Sequence, residues 1–463
     1  MRIRTITQVF LALTLSSSAF AATKAKPFEL RPTEVQTLDN GLQILWVPDT
    51  SLPYVSLQLM LRSGSAQDPK GKEGLASFTG GMLERGSFRR TALKISEEFE
   101  QIGSSFSADV GSDYTILSSS SLSFHKETVL KLFSDILFKP TFPLGEIEKL
   151  RKVILGGIQK IADRPEDFTE FLMPRFIFGS HPYGHESIGF PKSIRSFKKT
   201  DLQKFYAMAY TPDNAMMAVV GQYDDAYKAE LIKTFSAWKK KTSVTPALPD
   251  FPAWKGTELL LVNRSDLNQA QIQIGFKGVP RNINEFLELR AGIKILGESF
   301  GSRLFEEIRV KRGLTYGINA WFDPRQIAGP MGIYTFTRVD KIAETVGETL
   351  NTYRLFVKDG VTSGEVAEVK ALMRGQFPRT FETAEGLARQ LLILNRYGIS
   401  TDYLTNYMVN LDAISKKSVN ETIKRYFDPE NLKILVYAPR EKVEASLKTF
   451  GKVEVKEYKE FLQ

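Results

Sequence analysis

The chain has 463 residues, no cysteine and a formal charge of +9. Its length predicts two to four domains, and the absence of cysteine excludes disulfides and thiolate metal sites. The lysines are scattered, with no basic block interleaved with aromatics, so the sequence carries no nucleic-acid footprint.

The chain opens MRIRTITQVFLALTLSSSAFAATKAKP. Arg2 and Arg4 form a basic start, Val9 to Leu15 an apolar stretch too short to span a bilayer, and Ala19-Phe20-Ala21 a small-residue cleavage site. The pattern predicts a signal peptide over residues 1–21, cleaved after Ala21, and an exported, periplasmic protein. The two leader arginines account for two of the nine charges, which leaves about +7 on the mature chain. No later run is apolar enough to cross a membrane.

The rest of the chain repeats itself. Leu42, Ile44 and Trp46 followed by Tyr54 to Leu61 read as strand, turn, strand; Leu259 to Val262 followed by Ala270 to Phe276 read the same way, about 215 residues later. Ser121 to Leu137, a strand end and an amphipathic helix, is echoed by Thr335 to Leu350. Tyr210-Thr211-Pro212-Asp213-Asn214 and its strand are echoed by Phe427-Asp428-Pro429-Glu430-Asn431 and its strand. Three echoes in one order at one lag predict a tandem duplication of an α+β domain, with halves at 22–238 and 257–463. Residues 239–256 join them. Pro246, Pro249 and Pro252 make this joint extended and semi-rigid. Further along, Ser363 to Leu392 predicts two amphipathic helices, Asp412 to Phe427 another, and the tail a charged helix and a strand.

The stretch Glu73 to Arg90, EGLASFTGGMLERGSFRR, sets two glycines side by side in a helical context. Each costs about 1 kcal/mol against alanine there, so helix stability does not explain them. The stretch resembles the metal helix of the pitrilysin/insulinase peptidases, the inverzincins, in the form found in mitochondrial processing peptidase. Gly74, Leu75, Ala76, Met82, Gly86, Ser87 and Arg90 match that family's frame. In H-x-x-E-H, two histidines one helical turn apart share a zinc, and the glutamate activates the metal-bound water. The resemblance places Ser77 and Gly81 at the histidine positions and Gly80 at the glutamate. In the segment Glu148 to Gly157, it places Gly157 at the third ligand. Zinc catalysis needs three N, O or S ligands and a water, so all three ligands and the base are lost together. The segment Gly103 to Ser120 resembles the family's edge strand, on which substrate adds as an extra strand; Ala108, Asp113 and Thr115 match it, and Ser107 replaces its asparagine.

Among the histidines, His181 and His185 stand four apart beside Glu186, a spacing that could coordinate a metal. His125 stands alone at a strand-to-helix junction. His181 and His185 lie in SHPYGHES, where Pro182 and Gly184 oppose a helix and so keep the two rings off one face. This segment resembles a structural loop of the family.

Phe300 to Ala320, FGSRLFEEIRVKRGLTYGINA, resembles the family segment whose arginine and tyrosine, seven residues apart, hold substrate carbonyls across the cavity from zinc. The matching residues are Arg309 and Tyr316, both donors able to fix a peptide carbonyl. The same stretch also reads as a charged helix end closed by Gly313, with Tyr316 in the following strand.

The resemblance covers essentially the whole mature chain. It implies a tandem α+β fold, each half a mixed sheet with helices on one side. Lost ligands beside a retained Arg/Tyr pair match the non-catalytic subunit of the family's heteromeric members. The expectation is therefore a substrate-binding subunit of an exported zinc metallopeptidase acting on peptides or unfolded proteins. It would bind no cofactor itself, zinc being held by a homologous H-x-x-E-H partner. The alternative is a metal-free, peptide-binding or structural homodimer.

Overall fold

A computed structural model describes residues 30, 33–241 and 246–463. The expected leader and its cleavage site lie outside the described residues.

Two six-stranded sheets carry the fold. The first contains β1 (Glu34–Thr37), β2 (Gln43–Pro48), β3 (Tyr54–Leu61), β4 (Phe106–Val110), β5 (Thr115–Leu122) and β6 (Ala215–Gly221), in the order β1-β2-β6-β3-β5-β4. The second contains β7 (Glu258–Asn263), β8 (Gln269–Lys277), β9 (Ile318–Phe322), β10 (Pro330–Arg338), β11 (Lys433–Ala438) and β12 (Val453–Glu457). Its order is β12-β7-β11-β8-β10-β9. Five strands correspond one to one. The sixth is β1 in one half, antiparallel on β2, and β12 in the other, parallel on β7. Both sheets are mixed, because β6 and β11 run parallel to β2 and β7 and antiparallel to β3 and β8. The repeat read from the sequence is thus a repeat of topology.

The helices that matter here are α1 (Leu75–Met82), α2 (Ala92–Glu100), α3 (Lys126–Phe138), α4 (Leu144–Ile161) and α5 (Pro165–Phe178) in the first half. The second half contributes α6 (Phe286–Ile293), α7 (Ile342–Asp359) and α8 (Ala384–Arg396).

The resemblance implied helices on one side of each sheet. The structure covers the other side as well, with a helix from the opposite half. Leu45, Met60, Met216, Ala218 and Val220 of the first sheet pack against Leu387, Ala388, Leu391 and Leu392 of α8. Leu260, Val262, Leu435 and Tyr437 of the second sheet join Phe168, Phe171, Leu172 and Met173 of α5. This exchange explains why β6 (AMMAVVG) and β11 from Ile434 on (ILVYA) read as apolar runs: both faces are buried and every residue is inside, with Lys433 at the head of β11 paired to Glu258. Each fully buried leucine in such a contact contributes about 1.5–3 kcal/mol, so the two halves stabilise each other through their cores. Gly275 of β8 permits the closest approach, since a Cβ there would lie 2.3 Å from Met173 Cε and 2.7 Å from Ile177 Cδ1.

Candidate functional site

α1, the helix that resembles the family's metal helix, is held by the frame around it. Gly74 sits at φ 94°, and a Cβ there would meet the Ile188 carbonyl oxygen at 2.6 Å, so only glycine fits. Asp68 is buried beneath the start of α1 and accepts from Gly74 N at 2.6 Å and Ala76 N at 2.7 Å. Beyond the helix, Ser87 and Arg90 both hydrogen-bond Asp135 of α3, at 2.6 and 2.8 Å, and Arg90 also pairs with Glu98 of α2. These residues shape the backbone and need no metal to do so.

The four positions that the resemblance assigns to ligands and base differ in their surroundings. Gly80 packs under the edge strand: a Cβ would stand 3.2 Å from Val110 Cγ2 and 3.3 Å from Ala108 Cβ. At Gly81 a Cβ would meet Leu150 of α4 at 3.5 Å, an ordinary contact. At Gly157 nothing lies within 4 Å, so no packing requirement explains a glycine in mid-helix. Ser77 is partly exposed and offers one hydroxyl. These residues do not fit a catalytic zinc, and among the described residues no group of three His, Cys, Asp or Glu side chains is placed to hold a metal ion.

The strand resembling the substrate-binding edge is an edge. β4 closes the first sheet, pairs only with β5, and presents Ser107 and Asp109 outward. Asp109 is engaged by Arg389 of α8 at 2.6 Å. Asp113, just past β4, works elsewhere. It accepts from Tyr183 Oη at 2.5 Å, from the backbone N of Gln326 at 2.7 Å and from Tyr397 Oη at 3.2 Å, so one carboxylate ties both halves together.

His181 and His185 have structural posts. His181 Nε2 lies 2.9 Å from the Pro249 carbonyl of the joining segment, and its Nδ1 accepts from Tyr183 N at 3.0 Å. His185 is buried, with Nε2 3.9 Å from Asp68; burial lowers its pKa. His125 precedes α3 with its ring tilted against that of Phe124, without a side-chain capping bond.

Arg309 and Tyr316 line one cavity of about 420 Å³, together with Gln269, Leu314, Phe336 and Lys341. Arg309 lies in a short π-helical stretch, Phe305–Lys311, its guanidinium 4.6 Å from the Phe305 ring centre. Gly313, at φ 61°, closes that helix. Tyr316 falls before the strand expected to carry it. Thr315 Oγ1 accepts from Gly317 N and donates to Gly317 O, and this local turn delays β9 until Ile318. Tyr316 is therefore 80% exposed, free to meet a ligand.

That cavity continues into two others that the sequence did not disclose. Arg309 and Phe336 also line a cavity of about 360 Å³ beside Phe300, Phe305 and Asn319. Glu166, Asn319 and Tyr334 then lead into one of about 320 Å³ between α5 and β9. At its inner end lie Glu170, Glu186, Asp323 and Arg325. Arg325 is buried, paired with Asp323 at 2.7 Å and set against the adjoining rings of Phe178 and Tyr183. Glu186 keeps only a partly exposed edge on the cavity. Burial, with Asp323 and Glu170 adding to it against the opposing Arg325, pushes its carboxyl up to about 7. No periodicity or motif in the sequence marked this inner end, because α5 and β9 come from different halves. None of Ser77, Gly80, Gly81 or Gly157 lines the groove.

A duplicated α+β chain with clasped halves defines a peptidase-like fold. The family described as Insulinase (Peptidase family M16) matches residues 44–189, and the Peptidase M16 inactive domain matches residues 196–373. The chain belongs to this insulinase, or M16, peptidase family. It is 26% identical over 399 residues to the "Uncharacterized zinc protease YmxG" of Bacillus subtilis, covering 84% of this chain and 95% of that one. It is 20% identical over 412 residues to the "Non-peptidase homolog YmxG" of Helicobacter pylori, covering 86% and 92%. The crystal structure of a peptidase M16 inactive domain from Pseudomonas fluorescens superposes with a TM-score of 0.83 at 26% identity, over 88% of this chain and 98% of that one. No helix among the described residues is long and apolar enough to cross a membrane.

Proposed function

We propose that this chain is a substrate-holding, non-catalytic subunit of an exported zinc peptidase, with the metal supplied by a homologous H-x-x-E-H partner. One observation carries the reading: the metal positions are Ser77, Gly80, Gly81 and Gly157, while Arg309 and Tyr316 open into one shared cavity. A guanidinium and a phenol at the mouth of a long groove are placed to hold an extended peptide by its carbonyls. The relative named a non-peptidase homolog supports the absence of a centre in this chain; relatives named zinc proteases support the chemistry of the partner. The export assignment rests on the leader sequence.

The test is recovery of the tagged chain from the native envelope fraction, with zinc and peptidase activity measured on the eluate. A stoichiometric second chain bearing H-x-x-E-H, with activity only in the pair, is the expected result. Arg309→Ala in that pair then lowers turnover by about tenfold or more, the loss of one donor to a developing oxyanion. Unchanged turnover removes the role given to Arg309. A lone, metal-free protein that binds unfolded peptide supports the peptide-binding homodimer instead.

A further inference from the structure

A separate cavity of about 280 Å³ lies in the second half, between α6 and the segments flanking α8. Its lining includes Arg281, Arg290 and Lys294 and no carboxylate. The nearest compensation is Glu298, which pairs with Arg290 at 2.9 Å and with Lys294 at 3.0 Å. One carboxylate thus answers two cations. Arg281 remains. Its guanidinium lies 3.7 Å from the ring centre of Phe286 and 5.1 Å from that of Tyr403, and no carboxylate among the described residues pairs with it. The Tyr403 hydroxyl accepts one hydrogen bond from it, and a guanidinium carries five N–H groups, so others remain to donate. Burial disfavours its charged form, so an anion there recovers free energy now forgone. Aromatic contact alone explains where Arg281 sits, but not why Arg290 and Lys294 converge on the same void.

The remaining wall is apolar. Phe377 stacks on Tyr407 with ring centres 3.9 Å apart and planes 8° from parallel, and Leu287, Met373 and Phe381 complete it. The volume is at the small end of ligand sites. It accommodates one head group and a short body, which excludes a polymer read at repeated phosphates.

We propose that the cavity formed by Arg281, Arg290, Lys294, Phe286, Tyr403 and Tyr407 binds a small amphipathic anion: a carboxylate or phosphate head on an aromatic or short acyl body. Residues 377–381 and 403–407 flank the helix that clasps the first sheet, so an occupant also fastens that clasp to α6.

Isothermal titration calorimetry of the full chain tests this with phenylacetate, phenyl phosphate and octanoate, against neutral phenylacetamide and against inorganic phosphate. At least one anionic amphiphile is expected to saturate a single site, with the neutral amide and inorganic phosphate each at least about tenfold weaker. Preference for phenyl phosphate identifies a phosphate head; preference for phenylacetate or octanoate identifies a carboxylate. Arg281→Gln is expected to weaken binding at least about tenfold. Gln390→Glu adds a negative charge to the lining while leaving Arg281 packed, and is expected to do the same should the first variant fail to fold. Absence of saturable binding by all three probes, equal affinity for the amide or inorganic phosphate, or full affinity in a folded variant overturns the proposal.

Discussion

Replacing Glu186 with glutamine gives a test whose sign and size both follow from the groove. Glu186 faces Glu170 and Asp323 across the inner cavity, with Arg325 as its counter-charge. Its carboxyl rises from an ordinary value of 4.5 to about 7, chiefly through burial. The folded chain therefore holds a proton that the unfolded chain has already released. The stabilisation is fully present below about pH 4.5 and is lost as pH rises through about 7. At roughly 1.4 kcal/mol for each tenfold change in proton affinity, the whole effect is at most about 3 kcal/mol. Glu186→Gln removes the titration and keeps the shape. Urea unfolding of both proteins at about pH 4 and about pH 8 measures it: the variant gains on the parent by up to about 3 kcal/mol between the two. Parallel stability profiles for parent and variant would show that the carboxyl is solvated after all and that this end of the groove is open to water.

Gly157→Ala is expected to stabilise the chain by about 1 kcal/mol in thermal or urea unfolding, since the helix gains and nothing is crowded. Gly80→Ala is expected to gain nothing, because Val110 and Ala108 must give way. Equal gains at both positions would contradict the packing of α1 against the edge strand. Ser77→His, Gly81→His and Gly157→Glu together are expected to give one zinc per chain by mass spectrometry where the parent has none; a metal-free triple variant would mean that α1 and α4 lie too far apart to share an ion. Gly275→Val is expected to cost about 1–3 kcal/mol by overpacking Met173 and Ile177. Met173→Ala in the same chain restores part of the loss; no recovery would place the strain elsewhere.

The repeat order was legible in the linear chain, as were the residue types at the motif positions. Each is carried by short-range chemistry: an apolar period, a residue type at a motif position, a spacing of seven. Tyr316 shows the limit of that reading. Its neighbours favour a strand, but one threonine side chain turns the backbone and leaves the ring in solvent. Asp113 shows another. As a motif residue it belonged to the substrate edge; in space it ties Tyr183 to the chain at Gln326 and Tyr397.

The sequence by itself determined that this is a duplicated α+β chain of the insulinase family, because composition and local pattern decide secondary structure and which residue type stands at each motif position. Tertiary structure alone decided that α5 and α8 exchange sheets, that Glu166, Glu186 and Arg325 extend the Arg309 cavity into a groove, and that Arg281 lies between two rings without a carboxylate. Those contacts join residues tens to hundreds of positions apart. Only the burial of apolar faces from both halves, which is non-directional and leaves no local signature, brings them together.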